Sequence, residues 1–202
     1  MSVDIETLAL EDDNFPATLK NGLVHPVPTC LWAIGNLEIS DRRLLGFFCS
    51  MKCPGSIILK TYDLAIKLRD AGIPIVSGFQ SPMEKECLDL LLRGQQPVVI
   101  CPARSLQHMQ IPPAWRQALH QKRLLIVSPF EKRHRRATAE LAKQRNRMVT
   151  SLASEVFVTH AGPGTKTERL CTELIEKQIR VYVIDVPDND HLIAKGAVPM
   201  RA

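Results

Sequence analysis

Nowhere in the 202 residues does an apolar run approach the roughly 20 residues that a membrane-spanning helix needs. That argues against a membrane protein. The N-terminus has no basic stretch before an apolar one. It is acidic instead, with Asp4, Glu6, Glu11, Asp12 and Asp13, which argues against a secretory signal. No CxxC pair occurs among the six cysteines (30, 49, 53, 87, 101 and 171), so neither a zinc framework nor a disulfide framework is indicated. Six free thiols and a reducing, cytoplasmic setting are expected. Aromatic residues are scarce, at 5 % with two tryptophans, which leaves little material for a base-stacking platform. Internal repeats and low-complexity segments are missing as well.

What is present is a globular composition, 45 % apolar, in a chain long enough for one substantial core and marginal for two. The charge is unevenly placed. Of 26 Lys/Arg and 21 Asp/Glu, residues 131–147 hold seven and two, which leaves 19 of each elsewhere. The whole formal charge of +5 therefore resides in EKRHRRATAELAKQRNR. Such a run is either a solvated helix face with its loop or a patch that meets phosphates. Lys132, Arg133, Arg135 and Arg136 are the candidates for contact with a nucleic-acid backbone.

Short apolar runs alternate with amphipathic stretches along the chain. Strands are expected near 30–36, 73–78, 97–102, 124–129, 155–160 and 180–185. Helices open at Pro54-Gly55, at Ser81-Pro82 with Glu84 completing a capping box, at Pro112-Pro113, at Thr138 and after Gly164. Most strands lack in/out alternation, as expected of a parallel sheet covered on both faces. The expectation is a single three-layer α/β domain with about six mainly parallel strands over residues 30–186. An extended arm (1–29) precedes it and an irregular tail (187–202) follows. In such sheets ligands bind at the carboxyl ends of the strands. Gly35-Asn36, Gly78, Ser81 and the turn Gly162-Pro163-Gly164-Thr165 are read there, as candidates for binding a phosphate or nucleotide.

One residue breaks the helical pattern. With Leu141 at zero on a wheel, Ala137, Met148, Leu152 and also Arg145 fall within about 40° of it. Arg147, Lys143 and Glu140 lie on the opposite face. Arg145 is thus aimed inward or at the sheet rim, where its charge needs a carboxylate, carbonyls or a ligand phosphate. Glu168 is open in the same way. Thr165-x-x-Glu168 is a capping box, which accounts for the pair without catalysis.

SGFQSP after the second expected strand, Pro112-Pro113 after the third and, above all, QRNRMVTSLASEVFVTHAGPG resemble the Rossmann-like domain of the DprA (Smf) family of DNA-processing proteins. The resemblance covers roughly residues 30–186. It implies an extended Rossmann-like domain that binds single-stranded DNA without catalysis. The family has Gly-Ser-Arg after its first strand, and Gly35-Asn36-Leu37 follows the first expected strand here. It has an Ala-Arg-Gly-type stretch where Phe79-Gln80-Ser81-Pro82 follows Ser77-Gly78. The same superfamily includes LOG-type nucleotide phosphoribohydrolases with PGGxGTxxE, and Gly162-x-Gly164-Thr165-x-x-Glu168 resembles the second half of that motif. Arg145 stands at the spacing of their phosphate-holding arginine. That resemblance implies an alternative in which Arg145 positions a nucleoside monophosphate and Glu168 acts catalytically. A non-catalytic nucleotide sensor is a third reading. The partner is accordingly single-stranded DNA or a nucleotide, in a chain that could form a homo-oligomer. No cofactor, metal ion or membrane is implied.

Overall fold

A computed structural model describes residues 4–21, 27–107 and 109–201. Its centre is one nine-stranded sheet. In chain order the strands are β1 (Glu6–Ala9), β2 (Cys30–Gly35), β3 (Leu44–Phe48), β4 (Ile75–Ser77), β5 (Val98–Ile100), β6 (Leu124–Ser128), β7 (Ala153–Val158), β8 (Val181–Ile184) and β9 (Val198–Met200). The spatial order is β1-β2-β6-β5-β4-β3-β7-β8-β9. The seven strands from β6 to β9 run parallel, while β1 and β2 pair antiparallel to each other and β2 antiparallel to β6.

Among the described residues seven α-helices cover the sheet: α1 (Ala17–Lys20), α2 (Gly55–Asp70), α3 (Pro82–Leu91), α4 (Pro113–His120), α5 (Ala139–Leu152), α6 (Lys166–Glu176) and α7 (Asp190–Ile193). Successive side chains of a strand point to opposite faces, and the two cores divide accordingly. Val76, Val99, Leu125, Val156 and Val183 meet Leu19 of α1, Met148 and Val149 of α5, Cys171 of α6 and Leu192 of α7. Ile75, Val98, Leu124, Phe157 and Ile184 meet Ile57 and Leu64 of α2, Cys87 and Leu91 of α3 and Ala118 of α4. The strands read as continuous apolar runs because both faces are covered.

The six expected strands are all present, and three more extend the sheet. The segment expected as an extended arm supplies β1 and α1, with Leu8, Phe15 and Leu19 buried. The tail expected to be irregular contributes a 3-10 turn at Pro187–Asn189, then α7 and β9, with Asn189 and Leu192 fully buried. The third addition, β3, lies at the centre of the sheet. It forms in the stretch between residues 36 and 54, for which the sequence suggested no element.

Candidate nucleic-acid interface

Parallel order starts at β3. From there the chain steps through β4, β5 and β6 to one side, and later places β7, β8 and β9 on the other. The connections diverge between β3 and β7, and such a switch point is where open α/β sheets form a ligand crevice at the carboxyl ends of the strands. Cys49–Pro54 follows β3 and Thr159–Thr165 follows β7, so these two loops form the walls at this point. The walls are joined at their base. Thr159 N donates to Phe48 O at 2.9 Å, and Ser50 N donates to His160 O at 2.9 Å. Ser50 Oγ and Thr165 Oγ1 lie 3.4 Å apart. Lys52 is exposed beside them. Helix α2 begins at Gly55 behind Pro54, which supplies no side-chain cap. Its first N–H groups therefore face this edge without a side-chain acceptor.

Gly35 and Asn36 do not join this crevice, because β2 runs antiparallel to β6 and ends at the opposite edge of the sheet. They have local tasks there. A Cβ at Gly35, whose φ is 107°, would lie 2.2 Å from Leu124 O. Asn36 Oδ1 accepts from Glu38 N at 3.2 Å, and its Nδ2 donates to Lys122 O at 3.1 Å. The residues that follow the first parallel strand are Cys49-Ser50-Met51, so they stand in the position that the sequence pattern assigned to Gly35-Asn36-Leu37. Ser50, Lys52 and Gly55 were not among the candidates. The signal for them is LLGFFC (44–49), an apolar run closed by Pro54-Gly55.

The glycine turn leads into α6. Gly164 has φ 74°, a left-handed conformation that glycine adopts freely. Thr165 Oγ1 donates to Gly162 O at 2.7 Å and accepts from Glu168 N at 3.2 Å. Both Glu168 oxygens are engaged. Oε2 accepts from Gly164 N at 2.6 Å and Oε1 from Lys195 Nζ at 2.6 Å, with His191 Nε2 4.0 Å away. The Lys195 ammonium, together with the Gly164 N–H, holds the carboxyl below its ordinary range. In this geometry Glu168 closes the turn and anchors Lys195, two residues beyond the end of α7.

Arg145 turns inward as its helical phase predicts, and it is 4 % exposed. Its partners here belong to the protein. Nη1 donates to Cys101 O at 3.2 Å and Nη2 to Gln80 Oε1 at 2.9 Å. The guanidinium occupies the space beside Gly78, where a Cβ would fall 1.0 Å from Nη1. It therefore bridges the ends of β4 and β5, on the side of β3 away from the glycine turn and far from Gly35. Burial lowers its pKa, and the charge of nearby Glu84 opposes that shift.

Glu84 does similar work one layer away. Oε2 accepts from Gln80 N at 2.7 Å and Ser81 N at 3.2 Å, and Oε1 accepts from Cys49 N at 3.0 Å. Burial raises its pKa, while these three N–H groups and Arg145 pull it down. Ser81 Oγ accepts from Glu84 N at 3.2 Å, which completes the capping box. Ser81 is buried and committed to that cap.

The basic segment follows β6 on the same edge as the crevice. Ser105 N donates to His134 O at 2.8 Å, and the His134 ring meets Phe130 edge-on with centroids 5.9 Å apart. Both contacts pin the loop in the middle. Lys132, Arg133, Arg135 and Arg136 remain exposed around the pin. Arg133 pairs with Glu131 at 3.3 Å, and among the described residues the other three form no ion pair. Four strand spacings, about 19 Å, separate the end of β6 from the end of β7. Gly78, Ser81, Arg145, the Gly162–Thr165 turn and the basic loop thus share one edge of the sheet.

A profile of the family described as DNA recombination-mediator protein A matches residues 6–197. The chain belongs to this family. Solved structures similar to it include DNA processing protein A (DprA) from Streptococcus pneumoniae, with TM-score 0.81 and 18 % identity over 98 % of this chain and 72 % of that one. DprA from Helicobacter pylori, described for its single-stranded DNA binding mode, aligns with TM-score 0.76 and 20 % identity over 97 % of this chain and 90 % of that one. The molybdenum cofactor carrier protein of Chlamydomonas reinhardtii shares the fold more distantly, with TM-score 0.54 and 12 % identity over 80 % of this chain and 91 % of that one. A search of curated proteins gives no match. Among the described residues no helix is long and apolar enough to cross a membrane, and no group of three or more His, Cys, Asp or Glu could hold a metal ion.

Proposed function

We propose that this member of the DprA family serves DNA processing by binding single-stranded DNA through its sugar–phosphate backbone, along the carboxyl edge of the parallel sheet. The observation that carries the reading is the sharing of that edge. The crevice between β3 and β7 and the exposed cations after β6 face one path, so a strand can contact both. Phosphates would meet Lys132, Arg133, Arg135 and Arg136 at one end. At the other they would meet Lys52, the Gly162–Thr165 turn and the first N–H groups of α2. Arg145 is a positioning residue on this reading: it fixes the Ser77–Gln80 turn against Cys101 and does not itself take a phosphate. Glu168 is bound to Gly164 and Lys195, which supports binding over hydrolysis of a nucleotide's glycosidic bond.

Backbone binding releases counterions, so affinity should fall steeply with salt, whereas a mononucleotide gives a shallow dependence. Replacing Lys132, Arg133, Arg135 and Arg136 with alanine should weaken oligothymidylate binding. It should also flatten the slope of log K against log salt by roughly 0.7 for each phosphate no longer neutralised. Anisotropy titrations at several salt concentrations read both quantities. Affinity and slope equal to wild type at low salt would return the loop to a solvated surface and remove the proposal's main support.

A further inference from the structure

The cations of the 131–147 run that lie beyond the loop point to a second surface. Helices α5 and α6 pack on the same face of the sheet, and both start at its carboxyl edge. One follows the basic loop and the other follows the glycine turn. Between them runs a groove of about 560 Å³. Lys143 and Arg147 line it from α5, and Lys166 and Arg169 from α6. Glu140 and Glu173 are its only acidic lining residues, so the groove carries an excess of two positive charges. None of the four cations forms an ion pair among the described residues. Like charges at positions i and i+4 of one helix, and i and i+3 of the next, oppose helix stability slightly. Facing each other across a concave surface, they concentrate positive potential. Ala142 and Leu170 add apolar lining, and Asn146 Oδ1 is buried beside it without a hydrogen-bond partner.

We infer that the α5–α6 groove is a phosphodiester track that carries single-stranded DNA away from the carboxyl edge and down the face of the molecule. This rests on the single-strand reading above and extends it to a surface outside the crevice. The ligand class follows from the lining. Cations stand on both walls along the groove's length, which suits a repeating anion better than one phosphate. No aromatic residue lines it to stack a base, so the contact would be indifferent to sequence. The groove opens where Lys166 begins α6, next to the turn that the first part of the strand would contact.

The test uses two probes, an oligothymidylate of about six nucleotides, sufficient for the edge alone, and one of about thirty that can also fill the groove. Two variants each remove one wall, Lys143→Gln with Arg147→Gln and Lys166→Gln with Arg169→Gln, and a third removes both. Lys143, Lys166 and Arg169 are exposed and Arg147 partly so, and melting temperatures serve as the check that each variant folds. Removing both walls should lower affinity for the long probe about tenfold at low salt and reduce its salt slope by roughly two to three units. Binding of the short probe should change less than about twofold, and each single wall should give an intermediate loss. The Lys132, Arg133, Arg135 and Arg136 variant should weaken both probes. Wild-type affinity and slope for the long probe without both walls would overturn the track and leave the edge reading intact. Equal losses for both probes would also overturn it, since the effect would then be one of general charge. Failure of the wild-type protein to bind either probe would overturn both readings. Binding of an acidic peptide in the groove, with no change for the long probe, would reassign the groove to a protein partner.

Discussion

Replacing Gly78 with alanine puts a methyl group where the Arg145 guanidinium lies. The arginine must leave, and the Cys101 carbonyl and the Gln80 amide are left without their donor. Arg145→Met removes the same donor directly. Each change should destabilise the free protein by about 1–3 kcal/mol, the cost of stranding the buried Cys101 carbonyl. Together they should cost little more than one alone, because the methionine vacates the space the methyl needs. Urea melts of the two single variants and the double variant read this coupling, and full additivity would refute the shared cause. Arg147→Met, on the groove side of α5, should leave stability nearly unchanged. The inward aim of Arg145 was legible in the sequence as a helical phase. Its partners were not, because Cys101 and Gln80 lie 44 and 65 positions away and are brought near only by β5 and β4. A second residue-scale prediction concerns His160, whose Nδ1 lies 3.2 Å from Asn189 Oδ1. Burial holds its pKa below the ordinary 6.5, and the Asn189 bond opposes this only in part. The unfolded chain therefore takes up the proton first as the pH falls. Stability from this group is complete above about pH 6.5 and is lost as the pH drops toward the folded value. His160→Gln should lose less melting temperature than wild type between about pH 7.5 and about pH 5.5. Parallel losses in the two proteins would assign the acid sensitivity elsewhere.

At the scale of elements, α3 shows what a local motif can and cannot announce. Ser81-Pro82-x-Glu84 declares a helix start, and Ser81→Ala should cost the ordinary ~1 kcal/mol of a missing cap. Glu84→Ala should cost more, about 2–3 kcal/mol, because the same carboxylate also holds Cys49 N of the loop after β3. Chemical denaturation of the pair checks the order, and equal costs would mean that the tie to β3 contributes nothing. The motif does not reveal that second bond, which spans 35 positions. A similar contrast separates the strands. Those visible in the sequence are continuous apolar runs closed by glycine, proline or polar turns, a consequence of burial on both faces. β3 carries Gly46 in its middle, and glycine weakens the strand signal. The space explains it, for a Cβ there would lie 3.2 Å from both Ala153 Cβ and Val156 Cγ2 of β7. β1 and β9 were hidden for another reason. They are edge strands, β9 is exposed along its length, and Pro199 interrupts it. With β3 hidden, β2 stood as the first parallel strand, and that placed Gly35-Asn36 in the crevice.

For the molecule as a whole, the ends of the chain are structural. Asn189 donates to Thr159 O at 2.9 Å and to Ile184 O at 3.0 Å, so it joins β7 to β8 just beyond the crevice. Leu192 and Ala197 are buried in the core beneath α6. Deleting residues 187–202 should therefore remove about 5 kcal/mol or more, which is about 10–20 °C in Tm for a domain of this size. Circular-dichroism melts of the truncated chain measure it. An unchanged Tm would mean that these residues contribute nothing to the stability of the sheet. The concentration of the whole net charge in 131–147 was legible from the sequence alone. That the charge splits between a loop at the sheet edge and a groove on the helical face was not, because α6 supplies the groove's second wall from outside that run.

The position of β3 also bears on how the protein is made. Phe47 pairs with Phe157, 110 positions later, although on its other side β3 pairs with β4 soon afterwards in the chain. At about 5–20 residues per second, a ribosome takes roughly 5–20 s to deliver the second neighbour. Over that interval one edge of the future central strand is unpaired, with Phe47 and Phe48 beside it. The crevice lies between these two strands, so it is completed only when β7 arrives. A nascent chain that ends before β7 lacks the switch point, although it already carries Lys132, Arg133, Arg135 and Arg136. On the proposed reading, the switch point's share of the phosphate contacts is thus acquired late in synthesis, from a pairing that closes one of the longest loops in the fold.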